Sequence, residues 1–194
     1  MSSERPLGER FRRALAYASR VHSSQFRKGT SRPYVSHLLG VTSIVLVHGG
    51  DEDEAIAALL HDAVEDQGGK RRLRDIRAKF GKRVARIVEG CTDSDVTPKP
   101  PWLERKKEYL KHLRDADSSI RLVSAADKLY NASETLADFR SHRESIWKRF
   151  KGGKQGTLWY YREVARILRK NGPKELAKDL DRAVKELSRA SRSR

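Results

Sequence analysis

Apolar residues recur at intervals of three and four positions along almost the whole chain, and no segment alternates convincingly as a β-strand would. Glycine and proline divide this pattern, for example at Gly49-Gly50 and Gly172-Pro173, where helices readily end. The pattern predicts an all-α fold. The chain has 194 residues and no internal repeat, so we expect residues 1–194 to form a single domain with a substantial core.

About eight to ten helices follow from the spacing of apolar residues and from the residues that interrupt it. The predicted helices cover residues 9–22, 34–48, 51–67, 71–80, 82–91, 102–114, 118–137, 140–150 and 157–170, with a last helix marked by Leu176, Leu180, Val184 and Leu187. Loops are expected at 23–33, at the proline-rich segment 93–101 and at the basic glycine-rich segment 151–156. We expect flexible tails at residues 1–8 and 188–194.

The chain carries a large excess of positive charge, because 42 basic and 26 acidic residues give a net charge of +16. Such an excess favours polyanions: nucleic acid, an anionic membrane or a small substrate with several phosphates. Aromatic residues are sparse in most of the basic runs, which argues against nucleic acid as a partner. No apolar run approaches the ~20 residues of a membrane span, so we expect no membrane partner, and a small substrate with several phosphates is the partner that remains.

The compartment is indicated by the single cysteine, Cys91, and by an N-terminus without an apolar signal segment. One cysteine forms no internal disulfide, and this fits a reducing compartment. We therefore expect a cytoplasmic protein in which Cys91 is a small buried apolar residue.

One segment, AALLHDAVED at residues 57–66, begins as a small apolar helix and ends with four ionisable side chains within six positions. These side chains are His61, Asp62, Glu65 and Asp66. A scaffold helix does not usually place such groups in its apolar run, because burying a charge is costly unless it is paired or bound to metal. The segment therefore indicates a functional site.

Two residues outside this segment can complete a metal site with His61 and Asp62. His37 lies one turn into the second predicted helix, and Asp127 lies in an apolar run at 122–129, where an unpaired carboxylate would be costly. Two imidazoles and two carboxylates suit Mn²⁺, Fe²⁺ or Zn²⁺, and an octahedral site with open positions favours Mn²⁺. A lone histidine is more often a core residue, but the set of four predicts one bound ion.

Glu65 and Asp66 follow His61 and Asp62 by four residues, and each would lie one helical turn further along the same face. Carboxylates in this position can hold an attacking water and take its proton. An acidic pair at the end of a helix more often faces solvent, but there it opposes the helix dipole and needs another reason. We therefore expect Glu65 and Asp66 to be catalytic.

Four motifs occur in an order and spacing that are typical of one group of proteins. They are HSSQFRK at 22–28 followed by PYVSH at 33–37, AALLHDAVED at 57–66, FGKRVARIVEGCTD at 80–93, and ADKLYN at 126–131. Over roughly residues 10–165 the chain resembles the HD-domain metal phosphohydrolases. Within them it resembles the alarmone hydrolases of the RelA/SpoT type and their stand-alone small relatives. The resemblance implies a single HD-domain helical bundle.

The resemblance also implies a reaction and a set of residue roles. The reaction is the Mn²⁺-dependent removal of the 3′-pyrophosphate from the alarmones ppGpp and pppGpp, which gives GDP or GTP. The implied metal ligands are His37, His61, Asp62 and Asp127, and the implied catalytic residues are Glu65 and Asp66. The implied substrate contacts are Arg27 on the purine, Lys28 on the base or its phosphates, Asn131 on the ribose, and Lys154 and Tyr160.

The chain departs from the family pattern near the site, and these departures leave the identity of the substrate open. Leu38 stands where the family has proline, and Lys128 stands where arginine is common. The segment 132–134 replaces one that often carries a basic residue. A hydrolase of (p)ppApp or NADPH is therefore one alternative, and a basic nucleotide- or nucleic-acid-binding module without catalysis is another. The sequence also leaves open a homodimer and a lid formed by the loop at 93–101.

Overall fold

The computed structural model of this chain describes residues 7–94 and 98–192. Across these residues it contains ten α-helical segments and one 3-10 helix, without a β-strand. The α-helices are α1 (Glu9–Val21), α2 (Val35–Val47), α3 (Glu52–Leu60), α4 (Ala63–Asp66), α5 (Gly69–Phe80), α6 (Lys82–Cys91), α7 (Trp102–Asp115), α8 (Ser118–His142), α9 (Gly153–Asn171) and α10 (Lys174–Ala190), and the 3-10 helix (Arg143–Arg149) follows α8. The predicted all-α helical bundle is confirmed.

Helix α3 lies inside the bundle, and its residues 55–60 are fully buried. It packs against α1, α2, α6 and α8. A capping box fixes its start: the Asp51 carboxylate accepts a hydrogen bond from the Glu54 backbone N at 3.0 Å, and the Glu54 carboxylate accepts one from the Asp51 backbone N at 2.9 Å. The far end of α3 therefore delivers His61 to the protein interior, where it is 2% exposed.

Helix α8 is the other central element and packs against α2, α3, α6, α9 and α10. Asp117 caps its start by accepting a hydrogen bond from the backbone N of Ile120 at 3.0 Å. The sequence predicted a helix that ends at residue 137 and a new helix at 140–150. The structure corrects this, because no glycine or proline interrupts the chain and α8 continues to His142. It ends where Arg143 adopts a φ of 51°.

The segment predicted as one helix over 51–67 is divided, because α3 ends before His61 and α4 begins after Asp62. Both intervening residues keep right-handed helical backbone angles. The backbone N of Asp66 still donates to the carbonyl of Asp62 at 3.0 Å. Asp66 therefore lies one turn beyond Asp62, as the sequence predicted.

Helix α9 begins at Gly153, inside the segment predicted as a loop at 151–156. Glycine is required here for close packing. A Cβ atom at Gly152 would lie 2.6 Å from the Trp102 ring, and a Cβ atom at Gly156 would lie 3.1 Å from it. The bare backbone therefore lets the start of α9 approach Trp102 at the start of α7.

Where the structure describes the ends of the chain, the terminal tails are shorter than the predicted 1–8 and 188–194. Helix α10 continues to Ala190, and Ser191 is buried with its hydroxyl donating to the Leu187 carbonyl at 2.7 Å. The backbone N of Gly8 donates to Glu52 Oε1 at 2.6 Å and ties down the start of α1. Residues 1–6 and 193–194, and the centre of the loop at 93–101, lie outside the described residues. No described helix is both long and apolar enough to cross a bilayer.

Candidate metal centre and substrate cavity

The four predicted metal ligands meet at one point of the fold. They are His37 from α2, His61 and Asp62 from the turn between α3 and α4, and Asp127 from α8. His37, His61 and Asp127 are buried and offer ligand atoms that all lie within 4.8 Å of one another. Asp62 Oδ2 lies 3.3 Å from Nε2 of His37 and 3.1 Å from Nε2 of His61. Residues that are far apart in sequence thus form one polar cluster inside the core.

The spacing of these atoms fits one divalent cation. The Nε2 atoms of His37 and His61 are 3.2 Å apart, and Asp127 Oδ1 lies 3.4 Å from the first and 3.7 Å from the second. Ligand atoms bound about 2.1 Å from an ion at right angles are separated by about 3.0 Å. Imidazole nitrogens and carboxylate oxygens are together suited to a divalent transition metal. The cluster is therefore a candidate metal centre.

Neighbouring groups orient the two residues at the α3–α4 turn. Nδ1 of His61 lies 2.8 Å from the backbone carbonyl of Ala58, a contact that places the proton on Nδ1 and leaves Nε2 free to bind a metal. The Tyr34 hydroxyl donates to Asp62 Oδ2 at 2.7 Å. Tyr34 lies in the PYVSH motif, but the sequence alone predicts no role for it.

Asp127 is held by two residues of its own helix. The ammonium group of Lys128 bonds to Asp127 Oδ2, and the side-chain amide of Asn131 donates to Oδ1. The same ammonium group lies 5.5 Å from the ring centre of Tyr109 and 5.9 Å from that of Tyr160, within range of cation–π attraction. Lys128, a departure from the family pattern, is therefore the counter-charge of a buried carboxylate.

The charges of the cluster favour a cation at its centre. Burial raises the pKa of Asp62 and Asp127, but the imidazoles, together with Lys128 for Asp127, outweigh burial and hold both pKa values well below their usual range. Burial lowers the pKa of His61, but the two carboxylates outweigh it and hold that pKa well above its usual value. Positive charge is thus stabilised between these side chains.

Glu65 and Asp66, the predicted catalytic pair, lie on the short helix α4 directly after the metal cluster. Burial raises the pKa of Glu65, and the nearby Asp93 raises it further, while Lys99 Nζ, 2.7 Å from Glu65 Oε1, opposes the shift. Burial and the charge of Asp62 raise the pKa of Asp66. A carboxylate with a raised pKa is suited to accept a proton and to return it near neutral pH.

A hydrogen-bond network fixes Asp66 from the other side. Gln25 Nε2 donates to Asp66 Oδ2 at 2.8 Å. Gln25 Oε1 accepts from Gln67 Nε2 at 2.7 Å and lies 2.6 Å from His22 Nδ1. The His22 ring stacks on Tyr34 with the ring centres 5.2 Å apart. These contacts to Oε1 determine which way the Gln25 amide points and turn its NH₂ group to Asp66. The sequence alone predicts no role for either glutamine.

A cavity of about 420 Å³ opens beside the metal cluster, and Asp66 and Lys128 belong to its wall. This volume is in the usual range for a small-molecule site. Four of the predicted substrate contacts line it: Arg27, Lys28, Asn131 and Tyr160. Arg27 Nη2 donates to Asn131 Oδ1 at 2.7 Å. The structure does not bring Lys154 to this cavity, because α9 already includes that residue and its ammonium group bonds to Glu144 Oε1 at 2.6 Å.

Further cations in the cavity wall had no sequence-based assignment as substrate contacts. They are Arg32, Lys106, Lys128, Arg149 and Lys151. Arg32 and Arg149 share Asp138 at 3.0 and 2.8 Å, and Lys106 lies 4.8 Å from the ring centre of Tyr160. Trp102 also lines the cavity. Sequence spacing does not reveal this set, because its members meet only when the loop before α2, helices α7 and α8, and the 3-10 helix with the residues after it pack together.

Comparisons with known proteins identify relatives of this chain. It matches the HD domain family over residues 14–158. It is 40% identical over 121 residues to the guanosine-3′,5′-bis(diphosphate) 3′-pyrophosphohydrolase MESH1 of Xenopus tropicalis, and the alignment covers 61% of this chain and 65% of that relative. It is 33% identical over 141 residues to MESH1 of Drosophila melanogaster, and this alignment covers 71% of this chain and 74% of that relative.

A solved structure supports the same relationship. It is described as a metazoan orthologue of SpoT that hydrolyses ppGpp and plays a role in starvation responses. The two folds superimpose with a TM-score of 0.77 at 28% identity, over 95% of this chain and 98% of the other. In sequence, this chain spans about 65% of the length of the Xenopus relative.

Proposed function

This chain belongs to the HD domain family, and we propose that it is a metal-dependent hydrolase that removes the 3′-pyrophosphate from the guanosine alarmones ppGpp and pppGpp. The products are GDP or GTP and pyrophosphate. One observation carries the proposal: a cluster of two histidines and two carboxylates, of which His37, His61 and Asp127 are buried, adjoins a cation-lined cavity with the volume of a small-molecule site. The activity printed in the names of the MESH1 relatives supports it.

The metal ligands in this proposal are His37, His61, Asp62 and Asp127, which would hold one Mn²⁺ ion. Mixed imidazole and carboxylate donors at nearly octahedral spacing suit this ion. A bound divalent ion supplies two effects, a lower pKa for the attacking water and a counter-charge for the attacked phosphate. The hydrogen bonds from Tyr34 and Asn131 keep the two carboxylates aimed at the cluster.

Glu65 and Asp66 would carry the proton transfers. Water attacks the phosphorus atom that is bonded to the ribose 3′ oxygen, and the bond between this phosphorus and the 3′ oxygen breaks. The carboxylate pair accepts a proton from the water and returns one to the 3′ oxygen, so that a hydroxyl and free pyrophosphate result. The raised pKa values of both carboxyl groups fit this exchange at near-neutral pH.

The cavity would seat the nucleoside and its phosphates. Arg27 lies 5.7 Å from the ring centre of Tyr34 and is hydrogen-bonded to Asn131, so its guanidinium is held in place before a purine stacks on it. Lys28 and Lys151 at the wall supply positive charge for phosphates. We further propose a cytoplasmic location, where the thiol of Cys91 stays reduced.

A panel of nucleotides tests the activity and the substrate together. The purified protein is incubated with Mn²⁺ and with ppGpp, pppGpp, ppApp, pppApp or NADPH, and the release of phosphate species is measured. We expect the fastest release from the guanosine alarmones. Faster release from the adenosine compounds or from NADPH would show that the substrate is one of those compounds and not a guanosine alarmone. No release from any of them would contradict hydrolysis itself.

A further inference from the structure

A second concave surface lies between the last two helices, away from the substrate cavity. It has a volume of about 700 Å³. We refer to it as the α9–α10 groove. Thr157, Tyr160 and Tyr161 of α9 line the substrate cavity, whereas the groove is lined by residues from Arg162 onward on another face of the same helix. The metal cluster and its carboxylates do not contribute to the groove.

The groove is far more basic than the chain as a whole. Its described lining contains seven basic residues: Arg162, Arg166, Arg169 and Lys170 from α9, and Lys185, Arg189 and Arg192 from α10 and the residues after it. It contains one acidic residue, Asp181, which is shared by Arg169 at 2.9 Å and Lys185 at 2.7 Å. The whole chain, in contrast, has 42 basic and 26 acidic residues. Glu163, just outside the lining, also pairs with Arg166 at 2.6 Å. The groove still carries a net positive charge, because its lining has seven basic residues and one acidic residue.

The basic residues form two rows that face each other. On α9, Arg162, Arg166 and Lys170 are spaced by four residues, which corresponds to about 6 Å along a helix. On α10, Lys185 and Arg189 have the same spacing. The ion pair between Arg169 on α9 and Asp181 on α10 joins the two walls of the groove. Repeated cations on two walls are suited to a ligand with successive negative charges, and not to a single anion.

The floor of the groove adds a polar contact to an otherwise apolar strip. Ala165 and Val184 supply the apolar surface. The hydroxyl of Ser188 is buried and has no hydrogen-bond partner within the described structure. A buried hydroxyl without a partner is costly, and a rotation of the Ser188 side chain would let it donate to a phosphate oxygen, as serine does in protein–nucleic acid contacts.

The absence of aromatic residues from the described lining selects among phosphate-rich ligands. Proteins that bind single strands usually stack bases on aromatic side chains. Contacts to a duplex backbone need only cations, hydroxyls and amides. We propose that the α9–α10 groove binds the phosphate backbone of double-stranded nucleic acid without reading its sequence. The scarcity of aromatic residues in the basic runs argues only against base stacking, which this mode of binding does not use.

The test uses the full chain and a fluorescein-labelled, mixed-sequence DNA duplex, with fluorescence anisotropy measured between about 50 and 200 mM salt. The groove variant is Arg166→Gln, Lys170→Gln and Lys185→Gln combined. Its matched control, Lys70→Gln with Arg71→Gln and Arg74→Gln, removes the same charge from exposed positions on α5. We expect the groove variant to bind at least about tenfold more weakly and to lose about 2.7 from the slope of log K against log salt, at 0.9 per phosphate contact.

The control variant should bind the duplex as the unmodified protein does, and both variants should keep the melting temperature. An equal loss in both variants would overturn the proposal, because binding would then follow net charge alone. No binding of the duplex at the lowest salt would overturn it as well. Tighter binding of the matching single strand, or binding of vesicles with anionic lipid in place of the duplex, would assign the groove to another ligand and overturn it.

Discussion

The side-chain amide of Gln25 donates a hydrogen bond to Oδ2 of Asp66 over 2.8 Å. Its oxygen is engaged by Gln67 and His22, so the amide cannot turn round without losing both contacts. The hydrogen bond favours the charged form of Asp66 and opposes the rise in pKa that burial causes. Gln25 therefore sets both the orientation and the acidity of a proposed catalytic carboxyl group.

Replacing Gln25 with alanine should lower kcat for ppGpp about tenfold, because a hydrogen bond to a charged group contributes about 1.5 kcal/mol. KM and Mn²⁺ affinity should stay near their original values. Without this hydrogen bond the pKa of Asp66 rises, so the acidic limb of the pH–kcat profile should move to higher pH. Gln155→Ala, at an exposed position on α9, is the control and should change nothing. An unmoved pH profile would show that Gln25 does not act on Asp66.

Replacing Asp62 with alanine should weaken Mn²⁺ binding more than about 100-fold, since even residues that only support metal ligands are worth 10–100-fold. The free energy of unfolding should change by only about 1 kcal/mol, because the Asp62 side chain is 21% exposed and lies in a turn. Calorimetric titration with Mn²⁺ and thermal unfolding measure the two effects. Asp115→Ala on the exposed side of α7 is the control. Unchanged Mn²⁺ affinity would exclude Asp62 from the metal site.

Asp93 joins the end of α6 to α7 through ion pairs with Arg105 and Lys106. Burial raises its pKa, but the two cations outweigh burial and lower it below the usual value. The folded pKa is thus below the unfolded value of about 3.9. The stabilisation is therefore complete above about pH 3.9 and is lost as the pH falls through the folded pKa.

Asp93→Asn should accordingly lower the free energy of unfolding by about 3 kcal/mol at neutral pH, because Arg105 is only 8% exposed and loses its counter-charge. The difference in the free energy of unfolding between this variant and the unmodified protein should shrink as the pH is lowered from about 3.9 through the folded pKa of Asp93. Urea unfolding at a series of pH values measures it, with Asp115→Asn as control. A difference that stays constant with pH would mean that the carboxylate charge is not the source of the stability.

Gly152→Ala should destabilise the protein by about 1–3 kcal/mol, because its Cβ would lie 2.6 Å from the Trp102 ring. Trp102 lines the substrate cavity, so its displacement should raise KM for ppGpp and leave Mn²⁺ affinity unchanged. In a Trp102→Ala background the same alanine should cause little further loss of stability. An equal loss in both backgrounds would place the strain elsewhere.

The spacing of apolar residues and the positions of glycine and proline predicted most helices, because these signals are local. Helix α6, Lys82–Cys91, was predicted at 82–91. The ends that differ depend on distant residues. Helix α9 starts among glycines because Gly152 and Gly156 pack closely against the Trp102 ring. No feature of the glycine-rich segment itself predicts that contact.

That His37, His61, Asp62 and Asp127 lie together could be predicted, because a carboxylate such as Asp127 in an apolar helix needs a partner. Their supporting residues could not be recognised in the same way. Tyr34 reaches Asp62, and Gln25 reaches Asp66, only after α2, α4 and the loop between α1 and α2 have packed. Lys154 failed to reach the cavity for the same reason, since its direction depends on where α9 begins.

The central claim is that the metal cluster and the Glu65–Asp66 pair release pyrophosphate as one unit from the 3′ position. The most direct measurement is phosphorus NMR of the products formed from ppGpp in Mn²⁺, by the unmodified protein and by Asp62→Ala. We predict GDP and pyrophosphate in equal amounts from the unmodified protein, and neither from Asp62→Ala. Single phosphate as the product, or equal turnover by Asp62→Ala, would contradict the account.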